Sequence, residues 1–581
     1  MRKGIVAVIV LALLGSAGAY VYFYQPFARP PALISLLPGD TLAMVRICRL
    51  KEQIQRFKTG RMGRSLARVD MPRVLALLQV SERDRTEFMQ FSEAFKNALN
   101  SAWFDLLFGQ EMVVALQGSA LHLNAAGQFD RQQWREAVIF VSRPKQPTRV
   151  LESLNSMFAR QLQVGSESFQ QWKINHFALD PGLSIYYALT DGMLVAGLSP
   201  KSVQRCLEQS LDETGSLLQA AAYKAHCAGL YKDGQTDLIA FADTRTALDL
   251  GRQAVAKAAE KQPDLAALKK QLADLNGLES INVALYDDGG PLVQAATVVG
   301  IDRRRMSPIM ARAFGSKPET NPTLRRIPMD ALVYAWQNTF DLNLYWQQFQ
   351  HNPAVGLRKI RQIQDAFKRN LGMDVDQFLA AFGTQFGLLV NDIDTGGMFP
   401  IPELALFIQA VQPAVVDRTM HRLADQFGTP LQTEDYKGVT IGYTVLPMGA
   451  SLSPAYACSD GFCTVASSKT LLKAMQDADA KGDLTAHPDF KAVDHGLTDA
   501  NNQTGYIQME GLVARSRDIT AWAMAWMAMV RQETAERNRQ IVDLLINPVL
   551  DGLSMIKAVG TRTYIEETRI KSDTYAALDR S

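Results

Sequence analysis

The sequence predicts an α+β protein of two similar lobes, each a mostly antiparallel sheet with packed helices, preceded by one transmembrane helix. Three observations predict it. First, stretches within residues 36–300 recur in order within 326–578. Leu37-Pro38-Gly39-Asp40-Thr41-Leu42 answers to Ile327-Pro328-Met329-Asp330-Ala331-Leu332, and Ala188-Leu189-Thr190-Asp191-Gly192-Met193-Leu194 to Ala457-Cys458-Ser459-Asp460-Gly461-Phe462-Cys463. Gly215-Ser216-Leu217 and Tyr223-Lys224-Ala225 answer to Gly482-Asp483-Leu484 and Phe490-Lys491-Ala492. Self-similarity on that scale sets the domain count. Second, the apolar runs in each repeat are short and joined by tight turns, which is the pattern of antiparallel sheet. Third, 581 residues exceed what one core serves, and a composition of 47% hydrophobic and 21% charged residues is that of a globular chain. The expected domains are residues 1–30, 31–300, a linker at 301–325, and 326–581.

The elements follow in chain order. Arg2 and Lys3 precede Gly4, and no charge occurs from there to Tyr24. About 20 apolar residues span a bilayer, and the aromatic end Tyr20-Val21-Tyr22-Phe23-Tyr24 suits its interface. A retained single-pass anchor in an inner membrane is expected, with Arg2 and Lys3 cytoplasmic and the bulk of the chain periplasmic. A signal peptide cut after Ala17-Gly18-Ala19 is the rival, and either would export the rest.

Each repeat then enters on a strand (42–47 and 332–336) and a long helical region. Phe108-Gly109 or Phe382-Gly383 precedes an apolar strand, 112–116 or 388–390. A second strand follows (137–141, 404–408), then an amphipathic helix and a hairpin centred on Asp191-Gly192 or Asp460-Gly461. Asp-Gly is the dipeptide that a type I′ turn favours. A further strand (238–242, 506–509) runs into a long helix, and a terminal hairpin closes each unit.

The charge balance, 61 basic against 59 acidic residues, excludes the concentrated basic field of a nucleic-acid binder. Catalytic signatures are missing: no Gly-x-Ser-x-Gly, His-Glu-x-x-His, phosphate loop or Gly-x-Gly-x-x-Gly occurs. His226-Cys227 does not make a catalytic pair, since adjacent side chains diverge, and a surface position is expected for it. Asp392 to Gly397, with Glu403 twelfth, has calcium-loop spacing. Gly396 at the fifth place and strand-like flanks favour a hairpin turn instead. No metal or cofactor is expected.

Four features remain as candidate sites. Cys458 and Cys463 fall opposite each other across the Asp-Gly turn, so in an oxidising compartment they can form a disulfide; two reduced core thiols are the alternative. Trp522, Trp526 and Met529 share a helix face within 518–531. Such a stripe is ordinarily core, but Met and Trp together also mark surfaces for a partner or apolar ligand. The aligned helix of the first repeat is rich in Ala and Lys instead. Eight basic residues between Arg49 and Arg73, among them Arg56, Arg61 and Arg64, form either a solvated face or a contact for anionic headgroups. Cys48, Cys206 and Cys227 have no deducible pairing.

Leu37-Pro38-Gly39-Asp40 with its following strand, Tyr436-Lys437-Gly438-Val439-Thr440, the Asp-Gly hairpin, and Leu484 with Asp489-Phe490-Lys491 carry a resemblance. With them the chain resembles a family of bacterial envelope proteins known only as a domain of unknown function. The first repeat departs from the pattern, having Trp172-Lys173-Ile174 where the second has Tyr-Lys-Gly. The resemblance implies an exported, membrane-anchored protein and supplies no catalytic residue. The expected function is non-catalytic binding or scaffolding in the envelope, with a protein or lipid partner and no nucleic acid. The alternatives are a carrier of an apolar ligand and, third, an enzyme with an unrecognised site.

Overall fold

Twenty strands form one antiparallel sheet in the computed structural model of the protein. It describes residues 32–580 apart from 102–105, 108–109, 123–129, 145–163, 181–182, 260–267, 270–271, 274, 352–354, 427, 429–430, 446–452 and 531. The first ten strands are β1 (Thr41–Cys48), β2 (Glu111–Gln117), β3 (Val138–Arg143), β4 (Val164–Phe169), β5 (Trp172–Asp180), β6 (Leu183–Thr190), β7 (Met193–Gly197), β8 (Thr236–Ala242), β9 (Leu278–Tyr286) and β10 (Leu292–Ile301). The second ten are β11 (Val333–Gln337), β12 (Phe382–Asp394), β13 (Ile401–Ala410), β14 (Gln432–Tyr436), β15 (Val439–Tyr443), β16 (Ala455–Ser459), β17 (Phe462–Ala466), β18 (Gln503–Gln508), β19 (Ile556–Ile565) and β20 (Arg569–Leu578).

Every pairing in the first set has its counterpart ten strands on. The first half runs β4-β5-β6-β7-β3-β2-β1-β8-β9-β10, and the second runs β14-β15-β16-β17-β13-β12-β11-β18-β19-β20. Local chemistry repeats too. Pro38 bridges Ser216 and Pro328 bridges Asp483. The β6–β7 turn holds Asp191 and Gly192 at φ 48° and 76°, and the β16–β17 turn holds Asp460 and Gly461 at 47° and 79°. Two left-handed residues in succession define the type I′ turn, which Gly adopts without strain and Asp tolerates.

The two halves are joined edge to edge. β10 pairs antiparallel with β20, placing Ala296 opposite Asp573, Gln294 opposite Tyr575 and Val298 opposite Lys571. In the hairpins, Val298 faces Asn282 as Tyr575 faces Gly560, so Val298 and Tyr575 are counterparts. The same offset makes Gln294 the counterpart of Lys571 and Ala296 that of Asp573. The seam is therefore isologous, with a pseudo-two-fold axis passing between Ala296 and Asp573.

This corrects the expected fold on two points. The halves are not separate lobes but one continuous sheet, because the last strand of each repeat leaves a free edge that the other satisfies. Moreover, no helix among the described residues is long and apolar enough to cross a membrane, and residues 1–31 lie outside the described set. The stretch expected as a linker is also built: it holds a turn at Arg303–Arg305, a helix at Pro308–Ala313 and a short strand, Glu319–Thr320, paired with Ala500–Asn501. Phe382-Gly383 opens β12 rather than preceding it, whereas Phe108-Gly109 is outside the described residues.

Alternation along the strands explains the cores. In β1, Met44 and Arg46 are buried while Val45 between them is exposed, the period of two that a pleated strand imposes. One core gathers Met44, Val113, Ile139, Val195 and Ile239; the other gathers Trp336, Leu389, Phe407, Phe490 and Tyr506.

Eight helices position the sites described below: α1 (Leu50–Thr59), α2 (Arg61–Leu66), α3 (Met71–Leu77), α4 (Ala221–His226), α5 (Pro413–Gln426), α6 (Met509–Val530), α7 (Gln532–Ile541) and α8 (Asn547–Leu553). Helices of the two halves pack together near the seam. Arg68 pairs with Asp551 at 2.9 Å, and Arg73 donates to Gln540 at 3.3 Å. A Cβ at Gly552 would sit 2.6 Å from the Met62 sulfur and 3.5 Å from the Met62 Cα, so α8 packs closely on α2 and a larger residue there would displace the Met62 side chain.

Candidate functional site

The Trp522 face is not core. α6 carries no charge from Ile519 to Val530 and has one buried residue, Val513. A helix apolar on all sides is ordinarily enclosed. Here its C-terminal half meets the tip of the β12–β13 hairpin and, through Met527 and Asn538 at 3.4 Å, α7, yet none of its residues is buried. Trp522 and Trp526, one turn apart, stack with centroids 6.0 Å apart, and Phe399 from the hairpin tip lies 6.1 and 5.5 Å from them. The Trp522 indole N–H donates to the Met398 carbonyl at 3.0 Å, fixing the tip on the helix. Met398 and Met529 are 75% and 71% exposed, and Trp526 and Phe399 also face solvent. The base of the helix is held by Arg515, which grips Asp392 through both carboxylate oxygens (2.5 and 3.0 Å) and reaches Asp518 at 3.0 Å.

That ion pair disposes of the calcium-loop spacing. Asp392 is engaged by Arg515, and Asp394 accepts from the Gly396 N–H at 2.9 Å as a turn residue does. Among the described residues no cluster of three or more His, Cys, Asp or Glu could hold a metal. Phe399 and Met398 were not singled out in the sequence. The available signal was the uncharged tip Thr395-Gly396-Gly397-Met398-Phe399-Pro400, where turn chemistry alone needs no Met or Phe.

Cys458 and Cys463 are cross-strand partners in β16 and β17 and are joined by a disulfide. Their counterparts Leu189 and Leu194 face each other in the same way. Both pairs pack among apolar neighbours: Val416 and Met420 of α5 lie in the cluster around the cysteines, and Phe177 and Tyr187 in that around the leucines. The disulfide closes a loop of only six residues, so its entropic contribution is about 2 kcal/mol. Cys458→Ser with Cys463→Ser is expected to lose that much in urea unfolding under non-reducing conditions. Cys458→Leu with Cys463→Leu, which copies the first half, should recover most of it.

The Arg49–Arg73 region is neither a solvated face nor a free basic patch throughout. Arg49 pairs with Asp237 at 2.6 Å, Arg56 donates to the Asp287 carbonyl at 2.7 Å, and Arg61 lies 3.9 Å from Asp579. Arg64 of α2 donates to the Thr59 carbonyl at the end of α1. The carboxylates responsible are hundreds of residues away in sequence, which is why the pattern looked like surface. His226 and Cys227 are likewise buried, at 6% and 0% exposure, correcting the expected surface position. His226 sits 3.6 Å from Glu279, and burial pushes the Cys227 thiol up to about 12, which keeps it in the protonated form of a packed thiol.

Two concavities lie away from the Arg49–Arg73 region. On the first half, a wholly apolar cavity of about 280 Å³ lies over Val138, Phe140, Phe177, Ile185 and Leu194. On the second, an open polar cleft lies beside α5, where Tyr456 donates to Asp417 at 2.7 Å. Burial and that carboxylate both push the Tyr456 phenol up, so it stays protonated and acts as a donor.

No curated protein and no solved structure matches the chain. Residues 120–529, which run from the first half into α6, match a family model, and on that coverage the chain belongs to the family described as Protein of unknown function (DUF3352).

Proposed function

We propose that this is a non-catalytic binding protein of the bacterial cell envelope, built by tandem duplication and exported by its N-terminal apolar stretch. The observation that carries the binding role is the uncharged protrusion of α6 and the β12–β13 tip. Aromatic residues and Met dominate the centres of protein interfaces, and charge is depleted there. The disulfide supports a location outside the cytoplasm, since such bonds persist in oxidising compartments. The paired ladders and the isologous seam support duplication, as of two copies once related by a two-fold axis.

Co-purification from solubilised envelopes tests the binding role. Wild type should retain one reproducible protein, and Trp526→Ser with Met529→Ser should lose it while keeping its unfolding midpoint. Identical recovery by both forms would remove the reading. The apolar cavity of the first half favours a second reading, a carrier of an apolar ligand. Lipid extracted from the same sample in stoichiometric amount, with no protein partner, would decide for it.

A further inference from the structure

A cleft of about 460 Å³ lies at the seam, and both halves are needed to make it. One wall is α1 and the α1–α2 turn, with Gln53, Arg56, Phe57 and Arg61; the other is Met555, Leu578 and Arg580 from the second half. Leu285 of β9, Met555 and Leu578 give it an apolar floor, and Phe57, 54% exposed, stands at its side. The volume falls in the range of small-molecule sites, roughly 300–1,000 Å³.

The lining carries three arginines, Arg56, Arg61 and Arg580, against two acids, Asp237 and Asp287. Arg56 and Arg580 share Asp287, at 3.5 and 2.5 Å, and Arg56 also lies 3.8 Å from the exposed Glu52 of its own helix. Asp237, the other acid of the lining, is already neutralised by Arg49. Arg61 has only Asp579, at 3.9 Å, as a charged partner among the described residues, and it donates no hydrogen bond there. A half-exposed guanidinium without a hydrogen-bonded acceptor, above an apolar floor, leaves its planar fork open to an oxyanion. Neither feature alone calls for a ligand, since surface arginines are hydrated and apolar floors are often closed by side chains. Together they match a molecule with an anionic head and an alkyl body.

We propose that the seam cleft binds an anionic amphiphile, a carboxylate or phosphate monoester carrying an alkyl chain. The head sits on Arg61 with Arg56 and Arg580 beside it, and the chain lies along Phe57, Met62 and Leu578. This site is distinct from the α6 protrusion and stands whether or not that surface binds a partner.

Titration calorimetry on the full-length chain tests it with four probes: decanoate, decyl phosphate, inorganic phosphate and decyltrimethylammonium. The two amphiphilic anions should bind one per chain. Inorganic phosphate and the cationic amphiphile should bind at least about tenfold more weakly, because each lacks half of the recognition. Arg61→Gln should weaken decyl phosphate by about tenfold, the scale of one hydrogen-bonded charge. Trp526→Ser, on α6 and outside the cleft, should leave it unchanged. Equal binding of the cationic amphiphile would overturn the proposal in favour of unspecific apolar adsorption, and equal binding of inorganic phosphate would overturn it in favour of a plain anion site. Unaltered affinity in Arg61→Gln, with the fold intact, would overturn it outright.

Discussion

Glu111→Ala is expected to destabilise the protein by about 3–5 kcal/mol, the cost of stranding a buried charge. Glu111 hydrogen-bonds Arg46 across the β1–β2 pair, and Arg143 lies 3.7 Å from its other oxygen. The Arg46 side chain is 7% exposed, and its guanidinium lies 3.9 Å over the Tyr231 ring. Removing the carboxylate leaves that cation without its hydrogen-bonded anion in a site water barely reaches. Arg46→Met combined with Glu111→Leu should recover most of the loss, since a buried ion pair is worth little more than apolar groups of like size. Urea unfolding of the three forms checks the prediction, and a double variant no better than Glu111→Ala would locate the loss elsewhere.

The counterpart of Arg46 in the second half is Trp336, and its truncation is the other large effect. Arg46 faces Ile239 of β8, and Trp336 faces Thr504 of β18 at the equivalent rung. Trp336 is 2% exposed and belongs to the second core with Phe407 and Tyr506. Trp336→Ala should cost about 3–5 kcal/mol through the cavity it leaves. Trp336→Phe should cost much less: it keeps most of the ring, and the indole N–H it deletes has no hydrogen-bond partner among the described residues. Both variants should shift one shared transition, because the β10–β20 pairing makes the halves a single sheet. Two separated transitions would show that the seam is weaker than its ladder implies.

These two positions also show what could be read from the chain beforehand. The recurring Leu-Pro-Gly-Asp and Asp-Gly stretches report local geometry, namely a bridge at Pro38 and Pro328 and two type I′ turns, and local geometry is written in neighbouring residues. The opposition of Cys458 and Cys463 was legible for the same reason. What joins the halves was not. The register of β10 against β20 depends on residues 277 apart (296 and 573) and leaves no mark in either strand, each of which reads as an ordinary terminal hairpin. The burial of Arg46 and His226 was hidden likewise, because their partners arrive from other strands. In the candidate surface, Trp522, Trp526 and Met529 were visible as a helical stripe, but a stripe does not say whether anything covers it. Phe399 and Met398 gain meaning only once the hairpin tip is seen lying on α6.

Photocrosslinking in living cells is the most direct test of the claim that this protrusion is where the protein binds its partner. A photoreactive amino acid replaces Met529, Met398 or, as a control on the body of the protein, Glu208 of the first half. A discrete protein adduct of the same mass from both Met529 and Met398, and none from Glu208, is the expected result. No protein adduct from either methionine, or the same adducts from all three positions, would contradict the binding role assigned to α6 and the β12–β13 tip.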